Sequence, residues 1–328
     1  MRWRVLIVAG IGLALALYLL RHVGLRTVLA AATSVGWGGF TALCVAGLLV
    51  FLILGPAWRS LLPSHSPLGY AVFVWARMVR DAASEALPVS QVGGMALGVR
   101  AAVLEGVNAP MAVASMVVDV TTEMLAQIAY VALGVFILST RAAHTPYAQS
   151  YVTIFSAGLV LAVAAGGAFL ALQRYGHHWI ARRLVGRLLP RSIAFTSAAA
   201  KALDGIYQSR VRFAVSLALH FCGWVAGAAG TWLAFRLIGA PVDFASVIAI
   251  ESLVYATRSA GFVVPNALGV QEAAYALLVP LVGVGKEFGL AVSLLKRARD
   301  LAIGAPVLLI WQALESRRAV AAKDAGVR

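Results

Sequence analysis

The sequence predicts an all-α polytopic membrane protein with about six transmembrane helices and two re-entrant, broken helical hairpins in an inverted repeat. Three observations predict it. The 328-residue chain is 61% hydrophobic and only 12% charged, about half the charged fraction of a soluble domain. Its apolar runs are long enough to cross a bilayer. Two further stretches, both largely apolar, are each interrupted in the middle by proline and glycine.

The spanning runs are Val5–Leu20, Trp37–Trp58, Ala109–Leu138, Tyr151–Leu172, Phe213–Ile238 and Glu287–Trp311. Trp37, Trp58, Tyr151 and Trp311 lie near run ends, where interfacial aromatics are expected. The first run reads as an uncleaved helix. Arg21, His22 and Arg26 separate it from Ala30-Ala31-Ala32, which a cleavable signal would not do.

The interrupted stretches are 70–107 and 244–285. The first breaks at Pro88, with Gly93 and Gly94 following; the second breaks at Pro265-Asn266, with Gly269 following. Proline removes a helical hydrogen bond and pushes its predecessor out of helical geometry. Each half is short for an upright span, so each stretch reads as a re-entrant hairpin; two kinked full spans are the alternative. Irregular backbone at membrane depth needs protein or a wet cavity around it.

Net charge is +14, and the basic residues sit mainly at the ends of apolar runs. That is a topology signal and anionic-lipid contact, and it argues against nucleic-acid binding. Arg2 and Arg4, the basic stretch 174–212, and the tail with Arg317, Arg318, Lys323 and Arg328 fall on one face if each hairpin returns to its own side. Both termini are then cytoplasmic. The two cysteines lie in separate apolar runs and read as packing residues, not as a disulfide or metal set.

An offset of 177 residues aligns repeat 1 (about 70–138) with repeat 2 (about 244–312) inside a single transmembrane domain, 1–328. Pro88 meets Pro265, Gly106 meets Gly283, Asp119 meets Lys296 and Glu123 meets Asp300. The spans after the two hairpins are three crossings apart, which makes the repeats antiparallel. Broken helices meeting near the midplane of inverted repeats are a transporter arrangement.

The charges gather in these repeats. Arg77, Asp81 and Glu85 share a helix face, with Arg80 on an adjoining face. Asp119 and Glu123 form a second i,i+4 set, while Glu251, Tyr255 and Arg258 share a third face. Lys296, Arg297, Arg299 and Asp300 cluster in the last span. A charge at the bilayer centre costs about 2.5–3.5 kcal/mol on insertion scales, so these groups face inward. Asp119, Glu123, Arg297 and Asp300 are the candidate polar relay. Arg77, Asp81, Arg100, Arg258 and Glu272 are placed around its mouth, and the acid-rich span is expected to face the base-rich last span. A salt-bridge cluster that only holds the repeats in register is the competing reading. The breaks expose helix N-termini that suit an anionic or polyhydroxyl headgroup; close packing at Gly93, Gly94 and Gly269 is the plainer role.

No P-loop, His-Glu-x-x-His, Gly-x-Ser-x-Gly or dinucleotide fingerprint is present. The expectation is no enzyme, no cofactor and no metal. The six histidines are scattered.

Leu87-Pro-Val-Ser-Gln-Val-Gly-Gly94-Met-Ala-Leu-Gly98-Val-Arg100 and Pro265-Asn-Ala-Leu-Gly269-Val-Gln-Glu272 resemble motifs of the transmembrane flippase domain of lysyl-phosphatidylglycerol synthases. Val118-Asp119-Val-Thr-Thr-Glu123 and Ser293-Leu-Leu-Lys296-Arg297-Ala-Arg299-Asp300 resemble a bacterial branch of hopanoid-biosynthesis-associated integral membrane proteins. The resemblance implies a lipid transporter of the bacterial inner membrane that moves hopanoids between leaflets or toward the outer membrane. It implies membrane lipids as partners, with a second copy or hopanoid-pathway proteins as protein partners. The synthases' soluble lysyl-transferase domain has no expected place, since the sequence ends soon after the last span. An intramembrane lipid-modifying transferase or a scaffold subunit is the alternative.

Overall fold

The structure is a computed structural model that describes residues 33–63, 68–86, 90–141, 148–176, 193–260, 267 and 269–324. The described residues are all-helical, with no strands. In chain order the helices are α1 (Gly36–Ser60), α2 (Tyr70–Ala86), α3 (Ser90–Leu104), α4 (Ala109–Arg141), α5 (Ala148–Ala171), α6 (Ile193–Tyr207), α7 (Arg210–Leu237), α8 (Phe244–Ala260), α9 (Val270–Leu278) and α10 (Lys286–Asp324).

Four of them, α1, α4, α5 with its π-helical extension, and α7, are long and apolar enough to cross a membrane. The protein is therefore a multi-pass membrane protein. Val5–Leu20 lies outside the described residues. The sixth run, Glu287–Trp311, is helical within α10 but is not among those four. Lys296, Arg297, Arg299 and Asp300 interrupt its apolar surface. The basic stretch 174–212 is partly helical: α6 occupies 193–207 and buries Leu203 and Ile206 against Ala114 and Val118 of α4.

Helix α5 keeps only 6% of its apolar window buried, so nearly its whole circumference faces outward, as a helix surrounded by lipid does. Trp37 is exposed as expected of an interfacial aromatic, but Trp58 and Trp311 are not. Trp58 is enclosed, donates to Ser115 Oγ at 3.0 Å and meets Phe73 edge-on at 5.5 Å. Its indole N–H has a protein partner, which removes the need for a headgroup.

Helices α2 and α3 pack closely and antiparallel. A Cβ on Gly94 would stand 2.6 Å from the Arg80 carbonyl, and one on Gly98 would stand 2.8 Å from Arg80 Cβ. Gly93 and Gly94 thus lie inside α3, not at the break, and Gly94 serves close packing. Pro88 lies outside the described residues, as do Pro265 and Asn266. Gly269 is described: its φ of +77° opens α9, and its N–H donates to Glu272 at 2.8 Å.

The 177-residue offset carries Ala109, which begins α4, onto Lys286, which begins α10. It also carries Gly106 (φ +97°) onto Gly283 (φ +80°). Both turns into the long helices therefore use the left-handed backbone that glycine adopts freely.

Each long helix serves both hairpins. The first half of α4 meets α2, and its second half meets α8, where a Cβ on Gly134 would stand 1.6 Å from Ser252 Oγ. The first half of α10 receives Gln271 Nε2 on Ser293 Oγ at 2.9 Å. Its later part joins α2 and α3 through Leu301, Val307, Leu308 and Trp311.

Connections close the two ends of the bundle. Arg141, the last residue of α4, pairs with Asp243 at 2.6 Å. Asp243 caps α8 through the Ala245 and Ser246 N–H groups. Partial burial pushes the Asp243 carboxyl up, but hydrogen bonds from Ser246, together with Arg141, outweigh it and hold it below its ordinary 3.8. At the other end, Arg318 donates to the Leu104 carbonyl at 2.8 Å and to Glu105 at 2.7 Å.

Candidate functional site

The first ionic network joins α2, α4 and α7. Arg77 and Arg80 lie three apart on α2 and reach the same pair of carboxylates, which lie four apart on α4. Arg77 gives Nη1 to Asp119 at 3.3 Å and Nη2 to Glu123 at 2.5 Å. Arg80 gives Nη1 to Asp119 at 3.0 Å and Nη2 to Glu123 at 2.7 Å. Each guanidinium therefore bridges one helical turn of α4, using the fork geometry that lysine lacks. Asp81 takes Arg77 Nε at 3.0 Å. His220 of α7 sets Nε2 2.9 Å from the second oxygen of Asp119.

The second network joins α8, α9 and α10 with the signs exchanged. Here the acids sit in the hairpin and the bases on the long helix. Lys296 donates to Glu251 at 2.5 Å and to the Tyr275 hydroxyl at 2.7 Å, and that hydroxyl also contacts Glu251. Arg297 binds Glu272 through Nε and, at 3.1 Å, through Nη2; it also donates to the Ala267 carbonyl at 3.2 Å. Arg299 forks onto its neighbour Asp300.

Tyr255 stands between the networks. Its ring lies under Lys296 at 5.2 Å and under Arg258 at 5.7 Å, both within cation–π range. Arg258 pairs with Glu85 of α2 at 2.9 Å. Gln127 of α4 donates to Ser259 Oγ at 2.8 Å. Ion pairs this enclosed hold their place because removing one partner strands the other.

Over residues 3–307 the sequence matches the lysylphosphatidylglycerol synthase TM region. The chain belongs to that family. No curated protein and no solved structure matches it. Membership makes this a lipid-related membrane protein, consistent with its apolar helices.

Within this lysylphosphatidylglycerol synthase TM-region chain, the expected site residues do not form one cluster. Arg77, Asp81, Asp119 and Glu123 come together, and Glu272 joins Arg297. Arg258 meets Glu85, and Asp300 meets Arg299. Arg100 stands apart, half exposed, paired with Glu315 at 2.7 Å. The acids of α4 do not pair with the bases of the last helix, because the α2 arginines and His220 already enclose them. Lys296 likewise pairs with Glu251 and not with Asp300 one turn away. His220, Arg80, Glu251, Tyr275, Lys296 and Arg299 complete the networks without having been among the candidate site residues. All but His220 and Tyr275 carry a full charge inside an apolar stretch, which was the available signal. Among the described residues, no three His, Cys, Asp or Glu side chains converge as a metal set.

Proposed function

We propose that this protein is a lipid transporter or flippase of the bacterial inner membrane, with hopanoid lipids as its cargo and both termini in the cytoplasm. The observation that carries the reading is the half-open state of the ion pairs. Asp81, Glu85, Glu123, Arg258, Glu272 and Asp300 keep 17–35% of their side-chain surface exposed, while Arg77, Arg80, Asp119, Glu251 and Lys296 behind them are closed off. Such groups are untenable against hydrocarbon. Their open sides therefore line a polar route for a headgroup, while the apolar body of the lipid stays in the bilayer.

The chemistry of exchange follows from the donors. A guanidinium holding two carboxylates binds phosphate or hydroxyl oxygens with the same fork. A headgroup entering beside Asp81 and Glu123 replaces carboxylate oxygens on Arg77 and Arg80, so no donor is left bare. The hopanoid cargo rests on the resemblance of the 118–123 and 293–300 segments.

The test is purified protein in vesicles with leaflet-resolved labelling of a hopanoid and of a phospholipid. Movement of the hopanoid that depends on the protein, lost at least tenfold in Arg77→Gln/Arg80→Gln, is the expected result. No movement of either lipid, or a chemically altered lipid product, overturns it.

A further inference from the structure

His220 is the one histidine among the described residues, and it is 1% exposed. Its Nε2 faces Asp119, which as a carboxylate only accepts, so Nε2 carries the hydrogen. The other ring nitrogen, Nδ1, is buried and has no hydrogen-bond partner among the described residues. In the neutral ring its lone pair is open to a proton.

The charges facing this ring are unbalanced. From α4 come Asp119 and Glu123; from α2 come Arg77, Arg80 and Asp81. Among the described residues, three carboxylates meet two guanidiniums; Arg299 of α10, which reaches α7 at Gly230, is already paired with Asp300. Helix α1 carries no Asp, Glu, Lys, Arg or His from Gly36 to Trp58, and α7 carries no other from Phe213 to Phe235. Helix α8 offers Tyr255, edge-on to Trp224 at 4.7 Å, and Arg258, which Glu85 holds. Helix α6 meets α4 with Leu203 and Ile206. With the ring neutral the excess negative charge rests on the side of the half-open Asp81, whereas withdrawing both arginines from the closed Asp119 leaves a buried carboxylate with no counter-charge, which a low-dielectric interior disfavours most.

We propose that His220 and Asp119 form a proton-binding site whose occupancy is linked to the arginine network. When Arg77 and Arg80 turn from Asp119 to a headgroup oxygen, a proton from water forms an N–H bond at Nδ1. The imidazolium then replaces the arginines as counter-charge to Asp119. The proton leaves to water when the arginines return, and no electrons are exchanged. On the transport reading, on which this consequence rests, lipid movement is proton-linked.

Replacing the other five histidines (His22, His65, His144, His177 and His178) by glutamine leaves His220 as the sole imidazole. Nitrogen NMR of labelled histidine in lipid vesicles then reads its state from about pH 8 to pH 5. The expected result is an Nε2–H ring that gains its second proton at Nδ1 as the vesicles are acidified. Asp119→Asn loses the imidazolium across the range, and Asp119→Glu keeps it. Should Asp119→Asn fail to fold, Glu123→Gln reduces the imidazolium signal measured under identical conditions. A ring that stays neutral throughout, or a conversion unmoved by these carboxylate changes, overturns the site. Lipid movement measured against pH forms the second arm: wild type varies with pH and His220→Gln does not. If no lipid moves at all, the transport reading fails, and the NMR result alone decides the proton site.

Discussion

Glu85, the penultimate residue of α2, and Arg258, two residues from the end of α8, meet at 2.9 Å although 173 residues separate them. One pair thus ties the interrupted end of the first hairpin to that of the second. It is partly shielded, so neither partner is easily satisfied by water once the other is gone.

Reversing one charge of this pair sets like charges together. Glu85→Arg or Arg258→Glu alone is expected to destabilise the protein by about 1–3 kcal/mol. The double reversal recovers at least half of that. Thermal unfolding in nanodiscs, read as a double-mutant cycle, checks it. A cycle with no coupling rejects the pair as a structural tie.

Lys296 and Glu251 should behave as a closed buried pair. Lys296→Met strands Glu251 and is expected to lower stability by about 3–5 kcal/mol. Combining it with Glu251→Leu should restore most of the loss, because two apolar groups leave no orphan charge. The folded fraction recovered after mild heating compares the three proteins.

The approach of α4 to α8 depends on a missing methyl. Gly134→Ala places Cβ 1.6 Å from Ser252 Oγ and 2.8 Å from its Cβ. Forced separation is expected to cost about 1–3 kcal/mol. Ser252→Gly in the same chain removes both contacts and should rescue it. A Gly134→Ala protein with unchanged melting temperature contradicts this packing.

The Arg141–Asp243 clasp makes one end of the bundle acid-sensitive. Asp243 is held below its ordinary 3.8 in the folded protein. Its contribution is therefore complete above that value and is lost as pH falls through the lower folded one. Stability measured from neutral pH down to about pH 3 should drop in wild type, and this part of the drop should be absent in Asp243→Asn.

Much of the fold was legible because apolar length and interrupted apolar stretches are one-dimensional signals. The 177-residue offset sets Gly106 on Gly283, and in the structure both have positive φ just before the long helices α4 and α10. The Arg77–Asp81 pair was legible as well, since i,i+4 spacing puts both on one face. His220 was not. It lies 101 residues from Asp119 in an otherwise uncharged helix, and only the packing of α7 against α4 gives it meaning. The partner choices of Asp119 and Lys296 were also hidden: Asp119 was expected to face the last helix and Lys296 has Asp300 one turn away, and tertiary packing overrules both. Trp58 and Trp311 looked interfacial by their place at run ends, yet Ser115 and the α2–α10 core enclose them.

Because α4 and α10 each grip both hairpins, neither hairpin has a mechanical coordinate of its own. The 39 residues of α10 follow a helical path about 58 Å long, fastened to one hairpin by Lys296 and Arg297 and to the other by Trp311 and Glu315, with Pro306 between the two fastenings. Movement at one fastening reaches the other through a single continuous helix, and α4 supplies a second such link that carries no proline between its fastenings. A distance probe placed on either hairpin therefore reports the setting of both.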